Sequence, residues 1–141
     1  MSLNEPKAIV HFAGKDFFIG ITPSKHALTI DTDHTRGAAA PSPMELLLIA
    51  LGSCTAVDVI SILRKKREDV KEYRVEVHGE RRDEHPRSYS RMEVHHVVTG
   101  RNVSEKSVAQ AIELSETKYC SVAATLRPTV EIVSSFEIIE A

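Results

Sequence analysis

The sequence predicts an α+β domain in the order βββ-α-ββ-α(α)-β. Three observations carry this expectation. Short segments at both ends and in the middle of the chain alternate apolar and polar residues at the period of a strand. Two stretches carry helix-start signals ahead of apolar residues, and these helices separate groups of strands instead of alternating with single ones. At 141 residues the chain fits one domain, 1–141, long enough to bury a core.

Residues 8–13, 16–21 and 26–31 read as three short strands broken at Gly14-Lys15 and at Thr22-Pro23-Ser24-Lys25. Both breaks use turn residues, which predicts an antiparallel meander. The aperiodic DHTRGAAAP of 33–41 is a loop. Ser42-Pro43-Met44-Glu45 then supplies a helix start: Ser42 can cap, Pro43 suits the first helical position, and Glu45 completes an S-x-x-E capping box. The helix should run to about 67, where Arg64-Lys65-Lys66-Arg67 places cations at the favourable end of its dipole. Its apolar residues surround the axis, so nearly every side needs cover, and a second chain supplying part of it follows from that requirement. Gly52, inside this helix, should admit another backbone close to the neighbouring thiol.

Strand alternation returns at 72–78 and 91–98, joined by the polar turn around Asp83-Glu84-His85-Pro86. Ser104 can cap a helix over 105–118, with Val103 and Val108 as a hydrophobic staple. Residues 119–126 suggest a second helical piece stopped by Pro128, and 129–139 a closing strand.

A net charge of −2 gives no electrostatic case for nucleic acid, and acids interleave the basic clusters at 64–67 and 81–87. The apolar stretch 46–63 approaches spanning length but contains Ser53, Cys54, Thr55, Asp58 and Ser61. A central charge costs about 2.5–3.5 kcal/mol even on a lenient insertion scale, which favours a buried core helix over a membrane span. The start lacks the pattern of a secretory signal, and a cytoplasmic protein is expected. The seven histidines show no metal-ligand spacing, and adjacent His95 and His96 should point to opposite faces of a strand, so no metal is expected.

Chemistry concentrates on two cysteines. Cys54 shares a helix face with Leu47, Ala50, Leu51, Val57, Asp58 and Ser61, an apolar setting that keeps a thiol protonated unless tertiary structure intervenes. Cys120 stands where a new helix begins, and free backbone N–H groups there would make it the more acidic thiol. Each could equally be a small buried hydrophobe. Glu45 reads as a helix cap before a catalytic group. Asp58 is a carboxylate on a buried helix that must find a cation or donors, with Arg82 as one candidate. Left unpaired, its charge would raise the thiol's pKa.

The segments SPMELLLIALGSCTAVDVISIL and AIELSETKYCSVAATL together resemble the osmotically inducible protein C and organic hydroperoxide resistance family (OsmC/Ohr), and the order of elements agrees over nearly the whole chain. The resemblance implies an OsmC-like fold in which two chains intertwine as a homodimer, antiparallel sheets wrapping central helices, with the sites at the dimer interface. It also implies that Cys54 attacks a small organic hydroperoxide and that Cys120 resolves the resulting sulfenic acid as a disulfide, as in a response to oxidative stress. No cofactor is bound in such a cycle; an external dithiol reductant of lipoyl type resets the pair. Enzymes of the family carry a glutamate ten residues before the attacking cysteine, where this chain has Met44 with Glu45 next to it. They also use an arginine from the first strands, for which Arg36 is the nearest substitute. These departures motivate a second expectation, a module that binds a small apolar or electrophilic ligand at the dimer interface without turnover.

Overall fold

The computed structural model describes residues 7–33, 35 and 37–141, and Arg36 lies outside them. The chain forms two compact units, one through residue 47 and one from residue 48 onward. In the first, β1 (Ile9–Phe12), β2 (Phe17–Ile21) and β3 (Ala27–Asp31) form the expected antiparallel meander. The first turn takes left-handed backbone at Gly14 (φ 99°) and Lys15 (φ 50°), the second at Lys25 (φ 71°). Asp31, fully buried, accepts the backbone N–H groups of Asp33 and Ala39, both at 3.0 Å, and so organises the loop that follows.

Helix α1 (Pro43–Lys65) begins with the capping box in place. Ser42 N–H donates to Glu45 Oε1 at 2.9 Å, and Glu45 N–H donates to Ser42 Oγ at 3.2 Å. The helix ends slightly before the expected 67, with Arg67 left-handed at φ 58°. By length and hydropathy alone α1 could cross a membrane. Here, from Leu48 onward, it lies on a sheet. Leu51, Thr55, Val59 and Leu63 form its buried stripe at successive turns, while Ile49 and Val57 on other sides remain 61% and 65% exposed.

That sheet is mixed where antiparallel sheets were expected: its order is β4-β5-β6, with β4 (Asp69–Arg81) antiparallel and β6 (Glu131–Glu140) parallel to the central β5 (Tyr89–Arg101). Met92, Val94, His96 and Val98 of β5 are buried and face the helices. Val59, Leu63 and Val98 join Val108, Ala111 and Ile112 of α2 (Glu105–Leu114) in the main core cluster. Two glycines set how closely α1 lies on β4. A Cβ at Gly52 would stand 3.0 Å from Val77 Cγ2, and one at Gly79 would collide with the Tyr89 ring and come within 2.9 Å of Leu48 Cδ2. Gly52 therefore admits a strand side chain, not the backbone expected from sequence.

The parallel β5–β6 pair requires a crossover, and α2 begins it. Ser104 caps α2 by accepting Ser107 N–H at 3.2 Å, and Val103 packs against the cluster containing Val108, as the staple predicted. The single helix expected over 105–118 is instead α2 followed by a π-helical turn, Ser115–Tyr119. Cys120 N–H closes that turn on Ser115 C=O at 2.7 Å, and α3 (Ser121–Leu126) follows. Replacing Gly79 by alanine should destabilise the fold by about 1–3 kcal/mol, because the added methyl must displace Tyr89 or Leu48. Chemical denaturation would show it as a lower midpoint with an unchanged slope.

Candidate active site

The two cysteines come together through the crossover. Cys54 is half-buried on α1; Cys120, only 4% exposed, sits between the π turn and α3. Both are free thiols, and the Cys54 side chain lies near enough to Cys120 to act on its charge. Sequence logic made Cys120 the more acidic thiol. The structure reverses the direction: burial pushes the Cys120 thiol up to about 11. Its Sγ does accept Ala123 N–H at 3.4 Å, which lowers the pKa, but the contact with Cys54 and the charge of Asp58 add to burial. One N–H from a six-residue helix does not offset the loss of water around the sulfur.

Asp58 lies one turn after Cys54, but Arg82 is not its partner. Arg82 donates instead to Ser88 Oγ (2.9 Å), Tyr89 C=O (2.6 Å) and Thr129 C=O (3.3 Å), fixing the turn between β4 and β5. Asp58 Oδ2 accepts the hydroxyl of Ser115 at 2.8 Å. Ser115, fully buried, also meets Thr55 Oγ1 at 2.9 Å. A serine has one hydroxyl proton, so with it given to Asp58 the chain runs in one direction, Thr55 to Ser115 to Asp58. Glu45 serves the cap of α1, as its spacing predicted.

Four residues here were not singled out for chemistry by sequence: Thr55, Tyr73, Ser115 and, beyond its strand face, His96. Tyr73 faces inward from β4, and its hydroxyl lies 2.7 Å from His96 Nδ1. Burial, then the charge of Asp58, raises the Tyr73 pKa, so the phenol is the donor. His96 is fully buried with no partner at Nε2, while His95 faces outward to Ser135 (2.8 Å) and Glu137 (3.1 Å). The strand period alone gave that division; nothing local announced the Tyr73 pairing.

Beside Cys120, a cavity of about 10 Å³ is lined by Leu51, Thr55, Val94, Glu116 and Ala123, with room for about one water. A larger groove of about 440 Å³ runs along Val57, Asp58, Ser61, Ile62, Leu114 and Tyr119, starting one turn beyond Cys54.

Residues 34–135 match the family model for OsmC-like proteins. The chain belongs to the OsmC-like family. It is 44% identical over 124 residues to protein YhfA of Escherichia coli K12, covering 88% of this chain and 91% of that one. It is also similar to the crystal structure of a hypothetical protein from Aquifex aeolicus VF5, with 33% identity, a TM-score of 0.85 and coverage of 100% and 99%. An organic hydroperoxide resistance protein OsmC from Legionella pneumophila shares the fold, with a TM-score of 0.66 at 11% identity over 97% and 99% of the two chains.

Two outcomes follow for this OsmC-like chain. Alkylation of the folded protein should modify Cys54 well before Cys120, with Cys120 reacting only as pH approaches about 11; peptide mass spectrometry reads both sites. His96 should make stability pH-dependent, since burial, then the charge of His95, lowers its pKa from 6.5 to about 4. Between those values the unfolded chain binds a proton that the folded chain does not. The stability is therefore complete above 6.5 and is lost as pH falls through about 4, by on the order of 3 kcal/mol in all. Denaturation at about pH 7 and about pH 4.5 measures it, and His96→Phe should flatten the difference.

Proposed function

We propose that the protein is a thiol-dependent peroxidase that reduces organic hydroperoxides to alcohols. The observation that carries this reading is the neighbouring Cys54 and Cys120 thiols, held on two different elements of an OsmC-like fold. Sharing that fold with organic hydroperoxide resistance proteins supports a redox or peroxidase role in general. The residues divide the labour by burial. Cys54, the more accessible sulfur, attacks the outer oxygen of the hydroperoxide; the S–O bond forms, the O–O bond breaks, and the departing alkoxide takes a proton to become the alcohol. Cys120, held as a thiol, then attacks the sulfenic sulfur. The S–S bond forms, and the Cys120 proton leaves with the hydroxide as water. A dithiol of lipoyl type returns two electrons and two protons by exchange, restoring both thiols.

In this reading the protein works as a cytoplasmic homodimer. The exposed Ile49 and Val57 support it, because a second copy would cover the sides of α1 that one chain leaves open. The groove beyond Cys54 favours a second reading, a module that holds a small apolar or electrophilic ligand there without turnover. Met44, standing where enzymes of the family have glutamate, is consistent with it.

With cumene hydroperoxide and a dithiol, Cys54→Ser should lose turnover by on the order of 10³-fold or more. Cys120→Ser should still consume one equivalent and then accumulate sulfenic and sulfinic acid at Cys54. Wild-type-like turnover in Cys54→Ser would sink the peroxidase, and a small molecule retained in native mass spectrometry without turnover would support the binding module.

A further inference from the structure

Ser115 makes three contacts that converge on the thiol pair. Its hydroxyl donates to Asp58 Oδ2 at 2.8 Å and accepts from Thr55 at 2.9 Å, so it is tied to the residue directly after Cys54 and to the residue one turn later. Its main-chain carbonyl accepts Cys120 N–H at 2.7 Å, the bond that closes the π turn. The residue is fully buried, out of reach of bulk solvent. Thr55 does not return its hydroxyl to the preceding turn of its own helix, as Ser53 does to Ile49 C=O at 2.8 Å, but spends it across the interface on Ser115. The π turn itself is a costly departure from α geometry, and its consequence is local. Cys120 leaves the helix in an extended conformation (φ −74°, ψ 101°), with its sulfur accepting Ala123 N–H and lying near Cys54.

We propose that Ser115 is the positioning residue for the thiol pair: by clamping the π turn to Thr55 and Asp58, in the turn of α1 that follows Cys54, it holds Cys120 within reach and so governs how fast and how completely the Cys54–Cys120 disulfide forms. This rests on the peroxidase reading only for its biological use. The clamp itself can be tested with any oxidant. In formation of the disulfide by diamide, the two thiols lose two electrons and two protons, and the diazene takes both to become the hydrazine; no peroxide is needed.

The test compares wild type, Ser115→Ala, Thr55→Val and a control, Val98→Ala, which truncates a buried core residue outside the clamp. Two quantities are read: the rate of diamide-driven disulfide formation, and the equilibrium between dithiol and disulfide in a glutathione redox buffer. Ser115→Ala should lower both by at least about ten-fold, because the entropy of aligning the thiols is no longer met by the fold. Thr55→Val should lower both by less, since the Ser115–Asp58 bond survives, and it carries the test if Ser115→Ala does not fold. Val98→Ala should leave both within about two-fold of wild type, separating positioning from general loss of stability. After one equivalent of cumene hydroperoxide, trapping with dimedone should give a higher ratio of sulfenic adduct to disulfide in Ser115→Ala than in wild type. Disulfide formation in the two clamp variants as fast as in wild type, or a fall no larger than that of Val98→Ala, overturns the proposal. So does a wild type that forms no intramolecular disulfide with diamide. A wild type that responds to diamide but not to peroxide leaves the clamp standing and removes the peroxidase.

Discussion

The parallel pairing of β5 with β6 is the constraint from which the site follows. Parallel neighbours cannot be joined by a tight turn, so the chain must leave the sheet, cross one face and return. The crossover carries α2, the π turn, Cys120 and α3, and it packs on the face that also receives α1. Cys54 and Cys120, far apart in the chain, meet because their elements share that face. The close approach of α1 to β4, made possible by the missing side chains at Gly52 and Gly79, fixes the depth at which Cys54 is presented.

Within this frame the two sulfurs differ in environment more than in local sequence. Cys120 receives a helix N–H and still titrates far above an ordinary thiol, because desolvation acts on the whole ion while one amide acts on a single lone pair. Asp58 pushes in the same direction. The arrangement keeps one thiol in its acid form beside a more exposed partner. Tyr73 and His96 extend the buried polar patch into the sheet, with His96 kept neutral by the same loss of water.

Much of this was legible in the sequence. The element order, the capping box at Ser42 and Glu45, the staple at Val103 and Val108, and the opposite facing of His95 and His96 all depend on short-range periodicity, which a sequence displays directly. The errors share a different cause. Arg82 was a reasonable partner for Asp58 by charge, yet the neutral Ser115, 57 residues further along the chain, took that place. The π turn was invisible because its residues, SETKY, are compatible with an α-helix; only the tertiary pull on Ser115 and the i to i+5 bond from Cys120 select the wider turn. The direction of the Cys120 shift failed for the same reason, since burial is a property of the assembled fold.

A buried, protonated thiol suits the role proposed for Cys120. Capture of a sulfenic acid expels hydroxide, a poor leaving group at neutral pH unless a proton accompanies it. A resolving cysteine that was already a thiolate would attack readily but bring no proton. One held as a thiol beside the other sulfur brings nucleophile and proton on the same atom, and its intrinsic nucleophilicity rises with its pKa. What it loses in thiolate fraction must then be recovered by proximity. That recovery depends on a rigid approach of Cys120 to Cys54, which in this chain falls to the hydroxyl and carbonyl of Ser115.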